Sequence, residues 1–128
     1  MDENNQAGVS GLKLAHSLGI PVIVMEPLRG GKLVNNLHRE VIKTFKNFHP
    51  EWSPAEWGLR WIWNHKEINV VLSGMSIEEQ VNENIKIASD ATADSLSEDE
   101  LKVFDEVKSI MNEKIKVPCT ACGYCMPC

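Results

Sequence analysis

Four cysteines, Cys119, Cys122, Cys125 and Cys128, stand at three-residue intervals in the stretch CTACGYCMPC, and they are all the cysteine in the 128 residues. Disulfides among them would close only tiny loops, which restrict an unfolded chain very little. Such clustering suits a metal better. The run C-x2-C-x2-C sets three thiolates around one compact loop, the arrangement that wraps a cubane iron–sulfur cluster. Four thiolates also satisfy tetrahedral zinc, and uncommitted or oxidised thiols are the third reading. The last gap, CMPC, is one residue shorter than in a common four-cysteine cluster run. Cys128 is therefore a ligand to the same cluster, to a second one, or to none.

Two other stretches have the composition to receive an anion. In Leu28-Arg29-Gly30-Gly31-Lys32, paired glycines let backbone N–H groups approach a ligand, and two cations flank them. Ser73-Gly74-Met75-Ser76 opens into a helix whose free N–H groups and dipole favour a phosphate. Taken alone, the first reads as a surface turn and the second as a helix cap. Gln80 and Asn84, four residues apart, suit either hydrogen bonds to a ligand base or a solvated helix face. Glu26 fits a salt bridge or a contact at the site. Trp57, Trp61 and Trp63 read as packing residues. His16, His38, His49 and His65 stand apart, without the neighbours that make a catalytic base.

The elements that would hold these residues follow from apolar spacing and breakers. Residues 6–18 read as a helix stopped by Gly19 and Pro21. Residues 20–25, IPVIVM, form a continuous apolar run that suits a strand buried on both faces. Residues 34–48 are weakly helical. Ser53, Pro54 and Glu56 then mark a helix start with a capping box. INVVLSG is a second buried strand. Ser76 with Glu79 caps a third helix, and Ser97 with Glu100 caps a fourth, whose buried face is Leu101, Phe104, Val107 and Met111. Two strands joined through helices predict a right-handed crossover and parallel pairing. In parallel α/β folds ligands sit where strands hand over to helices, which is where both glycine-containing turns fall.

The chain carries a formal charge of −5 and no basic run, which argues against nucleic acid. The longest apolar stretch is far short of the roughly 20 residues a membrane span needs, and no signal-peptide pattern opens the sequence. A soluble cytoplasmic protein is the expectation.

The stretches IPVIVMEPLRGGKL, SPAEWGLRWIWN, VVLSGMSIEEQVNENIKIAS and CTACGYCMPC, in that order, resemble the C-terminal half of an aldo/keto reductase. More narrowly, they resemble the branch with a ferredoxin-like 4Fe-4S extension. The resemblance implies the end of a (β/α)8 TIM barrel, with IPVIVM and NVVLSG as its seventh and eighth strands, then a helix and the cysteine tail. Residues 1–95 would be the barrel units, 96–118 the helix and 119–128 the start of the iron–sulfur motif.

The implied cofactor is NADP(H) or NAD(H). Leu28, Gly30, Gly31, Lys32 and Leu33 would approach its pyrophosphate, and Gly74, Met75 and Ser76 would surround its adenosine ribose phosphate. Gln80, Glu83 and Asn84 would reach its phosphate and adenine. The basic side chain that the family often sets beside a 2′-phosphate has no counterpart in GMSIEEQ. The family's Asp, Tyr, Lys and His tetrad belongs to earlier strands and has no match here, so no catalytic residue is assigned. The expectation is a piece of a nicotinamide-dependent oxidoreductase of small carbonyl substrates, inactive alone, with an electron-transfer partner for its tail. Paired fragments in a homodimer would cover the strand edges. A self-standing iron–sulfur or zinc module is the alternative.

Overall fold

The computed structural model describes residues 6–114. The elements, in order, are α1 (Gly8–Ser17), β1 (Val22–Val24), α2 (Arg39–Phe48), α3 (Pro54–Trp63), β2 (Ile68–Val71), α4 (Glu78–Asp90) and α5 (Glu98–Lys114). The four cysteines lie outside the described residues.

The helix boundaries follow from local hydrogen bonding. Gly19, at φ +70°, turns the chain out of α1 while the Ile20 N–H returns to the Ala15 carbonyl at 2.9 Å. At α3, the Glu56 N–H donates to Ser53 Oγ at 3.0 Å and Pro54 occupies the first turn. The reciprocal half of the expected capping box is missing, because the Glu56 carboxylate turns to Arg60 at 2.9 Å. At α5 the box is complete. The Glu100 N–H donates to Ser97 Oγ at 3.2 Å, and the Ser97 N–H donates to Glu100 Oε2 at 2.7 Å.

The strands pair in parallel, as the crossover predicts, with Val22 opposite Ile68, Ile23 opposite Val70 and Val24 opposite Val71. The register slips by one between Val22 and Ile23. The extra residue, Asn69, takes up the bond the ladder loses: its Oδ1 accepts the Val22 N–H at 2.9 Å. The slip keeps Val22, Val24, Ile68 and Val71 on the helix-covered side. Ile23, Val70 and Leu72 share the open side and are 57%, 41% and 48% exposed. The apolar runs therefore bury one face here, not two.

Apolar packing forms two clusters. Val41, Phe45, Trp57, Val103 and Val107 join α2, α3 and α5, and Leu12, Ile62 and Ile68 join α1, α3 and β2. Trp57 is fully buried, stacked on Phe45 at 5.0 Å and met edge-on by Trp52 and Phe104.

Three sequence expectations change. The helix expected over 34–48 begins only at Arg39, because residues 31–36 spend their backbone on turns and Asn36 has φ +55°. Ser76 does not cap α4, whose N-cap is Ile77 with no side-chain bond. On α5 the inward position is Val103, whereas Leu101 is 37% exposed. Phe104, Val107 and Met111 pack inward as expected, and Val103 replaces Leu101 at the start of the buried face.

Next to the α5 cap, His49 bridges two carboxylates, with Nδ1 2.9 Å from Glu51 and Nε2 2.9 Å from Glu100. Its ring stacks on Trp52 at 3.9 Å. Burial pushes the Glu100 carboxyl up, but hydrogen bonds from Ser97 and His49 outweigh burial and hold it below its ordinary value of 4.5. A carboxyl lowered by folding stabilises the fold above its unfolded value, and that contribution disappears as pH falls through the folded one. The stability margin of the chain over Glu100→Gln, measured by urea unfolding, should therefore shrink as pH is taken from about 5.5 to about 3. A margin that grows on acidification would contradict the assignment.

Candidate functional site

Because β1 and β2 run parallel, the loops that follow them leave from the same edge of the sheet. Beyond β2 the ladder extends by one bond, from the Leu72 N–H to the Val24 carbonyl at 2.9 Å, and then both chains turn away. Leu28–Leu33 and Gly74–Ser76 are thus neighbours on the edge where ligands bind in such sheets.

The loop after β1 is a compact set of turns. Arg29, Gly30 and Gly31 follow one another with φ of +50°, +62° and +84°, a left-handed run that L side chains resist. The result is consumption of the backbone donors. The N–H groups of Arg29, Gly31, Lys32, Leu33, Val34 and Asn35 all donate to carbonyls of residues 26–31. Among the described residues, Gly30 is the one member of that stretch whose N–H donates to none of them. The expected glycine cradle is therefore largely closed on itself, with the Gly30 amide the one left without a carbonyl among those of residues 29–35. Leu28 points elsewhere. A Cβ on Gly58 of α3 would come 2.7 Å from Leu28 Cδ2, so this side chain anchors the loop on α3. Glu26, at φ +48°, is exposed and forms no ion pair among the described residues, which corrects the expected salt bridge.

The loop after β2 is more open. A Cβ added at Gly74 would meet nothing within 4 Å. Ser73 Oγ accepts from Asn84 Nδ2 at 3.2 Å, and the Ser76 N–H donates to Gln80 Oε1 at 3.1 Å. Two side chains of α4 thus brace the loop from one helix face. Below them runs a groove of about 170 Å³ between α3, the end of β2 and α4. Leu59, Trp63, Val71, Met75, Ile85 and Ala88 give it apolar walls, and Ser73 and Asn84 supply its polar groups.

Of the residues expected from the sequence, Met75 and Asn84 line this groove, and Ser76 and Gln80 are bonded at its rim. Glu83 is exposed on α4, and Gly30, Lys32 and Leu33 belong to the other loop. Leu59 and Trp63 were not anticipated as site residues. Their four-residue spacing on α3 was the available signal, but it reads equally well as core. A second cavity, about 340 Å³, lies at the opposite edge, where Lys13, Lys66, Glu67 and Asp94 mix both charge signs. Among the described residues, no three His, Cys, Asp or Glu side chains are grouped to hold a metal, and no helix is long and apolar enough to cross a membrane.

Replacing Gly31 with Ala tests whether the first loop is as tightly wound as its bonds imply. A Cβ there would sit 2.7 Å from Asn35 Nδ2 on a residue at φ +84°. The expected cost is about 1 to 3 kcal/mol, with faster hydrogen exchange at amides 31–35. Unchanged exchange in that stretch would refute it.

The aldo/keto reductase family model matches residues 3–109. No curated protein matches the chain.

Proposed function

The chain belongs to the aldo/keto reductase family, and from that premise we propose that its two loops hold a nicotinamide dinucleotide at the rim of a (β/α)8 barrel. β1 and β2 would be the last two strands of that barrel. The open apolar side formed by Ile23, Val70 and Leu72 supports this reading, since a barrel interior is where such side chains are covered by further strands.

The groove carries the assignment. Its apolar walls suit a flat heteroaromatic ring, with Trp63 and Met75 as contact surfaces and Asn84 and Ser73 as hydrogen-bonding groups. The open side of Gly74 leaves room for a ribose. The fit at the first loop is narrower: its amides are mostly engaged, so Lys32 and the Gly30 N–H are the groups we assign to a pyrophosphate. When bound, the dinucleotide supplies a hydride-transferring nicotinamide ring. The chain's own residues bind and orient it. None is assigned a proton-transfer role, and the single tyrosine, Tyr124, belongs to the cysteine segment. Small carbonyl compounds are the proposed substrates of the complete enzyme.

The test is titration of the chain with NADH and NADPH, following tryptophan emission, because Trp63 lines the groove. Saturable quenching is expected with at least one of them. Asn84→Ala should weaken it about tenfold by removing a ring-facing polar group. Failure of both dinucleotides to bind would overturn the proposal.

We also propose that Cys119, Cys122 and Cys125 hold an iron–sulfur cluster, with Cys128 available as a fourth thiolate. The C-x2-C-x2-C spacing supports it. Protein purified without oxygen should be brown, with broad visible absorption that a Cys122→Ser change abolishes. Colourless protein containing stoichiometric zinc would favour the zinc module instead.

A further inference from the structure

The cavity of about 340 Å³ lies away from both glycine loops, at the edge where the chain enters β2. That volume falls within the roughly 300 to 1,000 Å³ typical of small-molecule sites. We propose that this recess binds a free α-amino acid, its carboxylate held by Lys13 and Lys66 and its ammonium by Glu67 and Asp94.

Three separate elements build the walls. Lys13 comes from α1, Asn64 to Glu67 form the turn between α3 and β2, and Asp94 belongs to the turn between α4 and α5. The two turns are fixed to each other. The Asp94 N–H donates to the Asn64 carbonyl at 3.0 Å, and the Leu96 N–H donates to Asn64 Oδ1 at 2.9 Å. One asparagine thus ties them together, and its Nδ2 donors have no partner among the described residues. The turn into β2 is closed by the Ile68 N–H on the His65 carbonyl at 3.1 Å. His65 is oriented as well. Its Nδ1 lies 2.9 Å from the Trp61 carbonyl, which can only accept, so Nδ1 carries the proton. Nε2 of the neutral ring is then an acceptor, without a hydrogen-bond partner among the described residues.

The charges on these walls are balanced and unpaired. Among the described residues, Lys13, Lys66, Glu67 and Asp94 form no ion pair, although all four border the same space. Exposed opposite charges gain little by pairing, so holding them apart costs the fold little and leaves them for a ligand. Two positive and two negative groups give no net preference for a plain anion or a plain cation. A phosphate drawn to the lysines would meet Glu67 and Asp94, and an amine drawn to the carboxylates would meet the lysines. A molecule with both charges side by side satisfies both sets. The donors match too. An ammonium offers three N–H groups, to Glu67, Asp94 and His65 Nε2, and a carboxylate accepts from Lys13, Lys66 and Asn64 Nδ2. The recess shares no lining residue with the groove, so it is independent of the dinucleotide.

The experiment titrates the isotope-labelled full chain with each of the protein amino acids in turn, following the backbone amides of residues 64–67 and 94–96 by NMR. At least one amino acid should shift these amides saturably. It should bind about tenfold more tightly than propionate or propylamine, each of which keeps one of the two charges. Lys13→Met and, separately, Asp94→Asn should each weaken it about tenfold, whereas Lys66→Arg, which keeps the charge, should retain it. Using two elements guards against one variant disturbing a single wall. Propionate or propylamine binding as tightly as the amino acid would overturn the proposal. So would the absence of any shift at these amides across the whole set.

Discussion

One helix holds the molecule together. α3 contributes Trp57 to one apolar cluster and Ile62 to the other, and Leu59 to the wall of the groove. Positions five apart on a helix point roughly 140° from one another, so α3 is gripped on opposite sides. α2 and α5 hold it through Trp57, α1 and β2 through Ile62, and α4 lies along the third side. The cost of disturbing it falls everywhere at once. Losing a fully buried tryptophan commonly costs about 3 to 5 kcal/mol, a large share of the margin of any small domain. The site depends on the same helix twice, through Leu28 seated at Gly58 and through Leu59 and Trp63.

The two loops at the strand edge solve their backbone problem in opposite ways. After β1 the chain pairs its own amides and becomes rigid, at the expense of a left-handed run that includes Arg29. After β2 the chain leaves Gly74 unencumbered and relies on Gln80 and Asn84 to hold it. A ligand spanning both would therefore meet a preformed, side-chain-presenting wall on one side. On the other it would meet a loop whose two bracing amides can exchange internal partners for ligand atoms. Preorganisation on one side and adaptability on the other is a sensible division for a long, flexible molecule, because ordering costs are then met before binding at only one end.

Much of this was readable in the residues. The parallel pairing, the Ser53 and Ser97 caps, Gly19 as the stop of α1, and both glycine turns at one edge all rest on local chemistry that tertiary packing did not alter. The misses share a cause. The fate of a backbone N–H in a turn depends on which carbonyl the chain brings to it, and RGGK alone does not reveal that its amides close inward. Ser76 sits where a cap could form, yet its amide finds the Gln80 side chain first, and Ile77 becomes the cap. On α5 the spacing gave Phe104, Val107 and Met111 correctly, and only its first position differs, where Val103 packs inward and Leu101 is left exposed. The groove was invisible because its walls come from three elements distant in sequence.

The sheet shows what one-sided support does to a parallel pair. On the helix side, Val22, Val24, Ile68 and Val71 are covered, while on the other Ile23, Val70 and Leu72 meet solvent. Parallel sheets are normally covered on both faces, and among the described residues two strands leave a row of donors and acceptors without strand partners on each outer edge. Further strands beside these two, as the proposed barrel has, would satisfy the exposed apolar area and the open edges together. Such strands would also fix how β1 and β2 end, and with them the separation of the two loops. Geometry at the rim is therefore tied to packing on the inner face: whatever covers Ile23, Val70 and Leu72 sets the distance across which a ligand must reach.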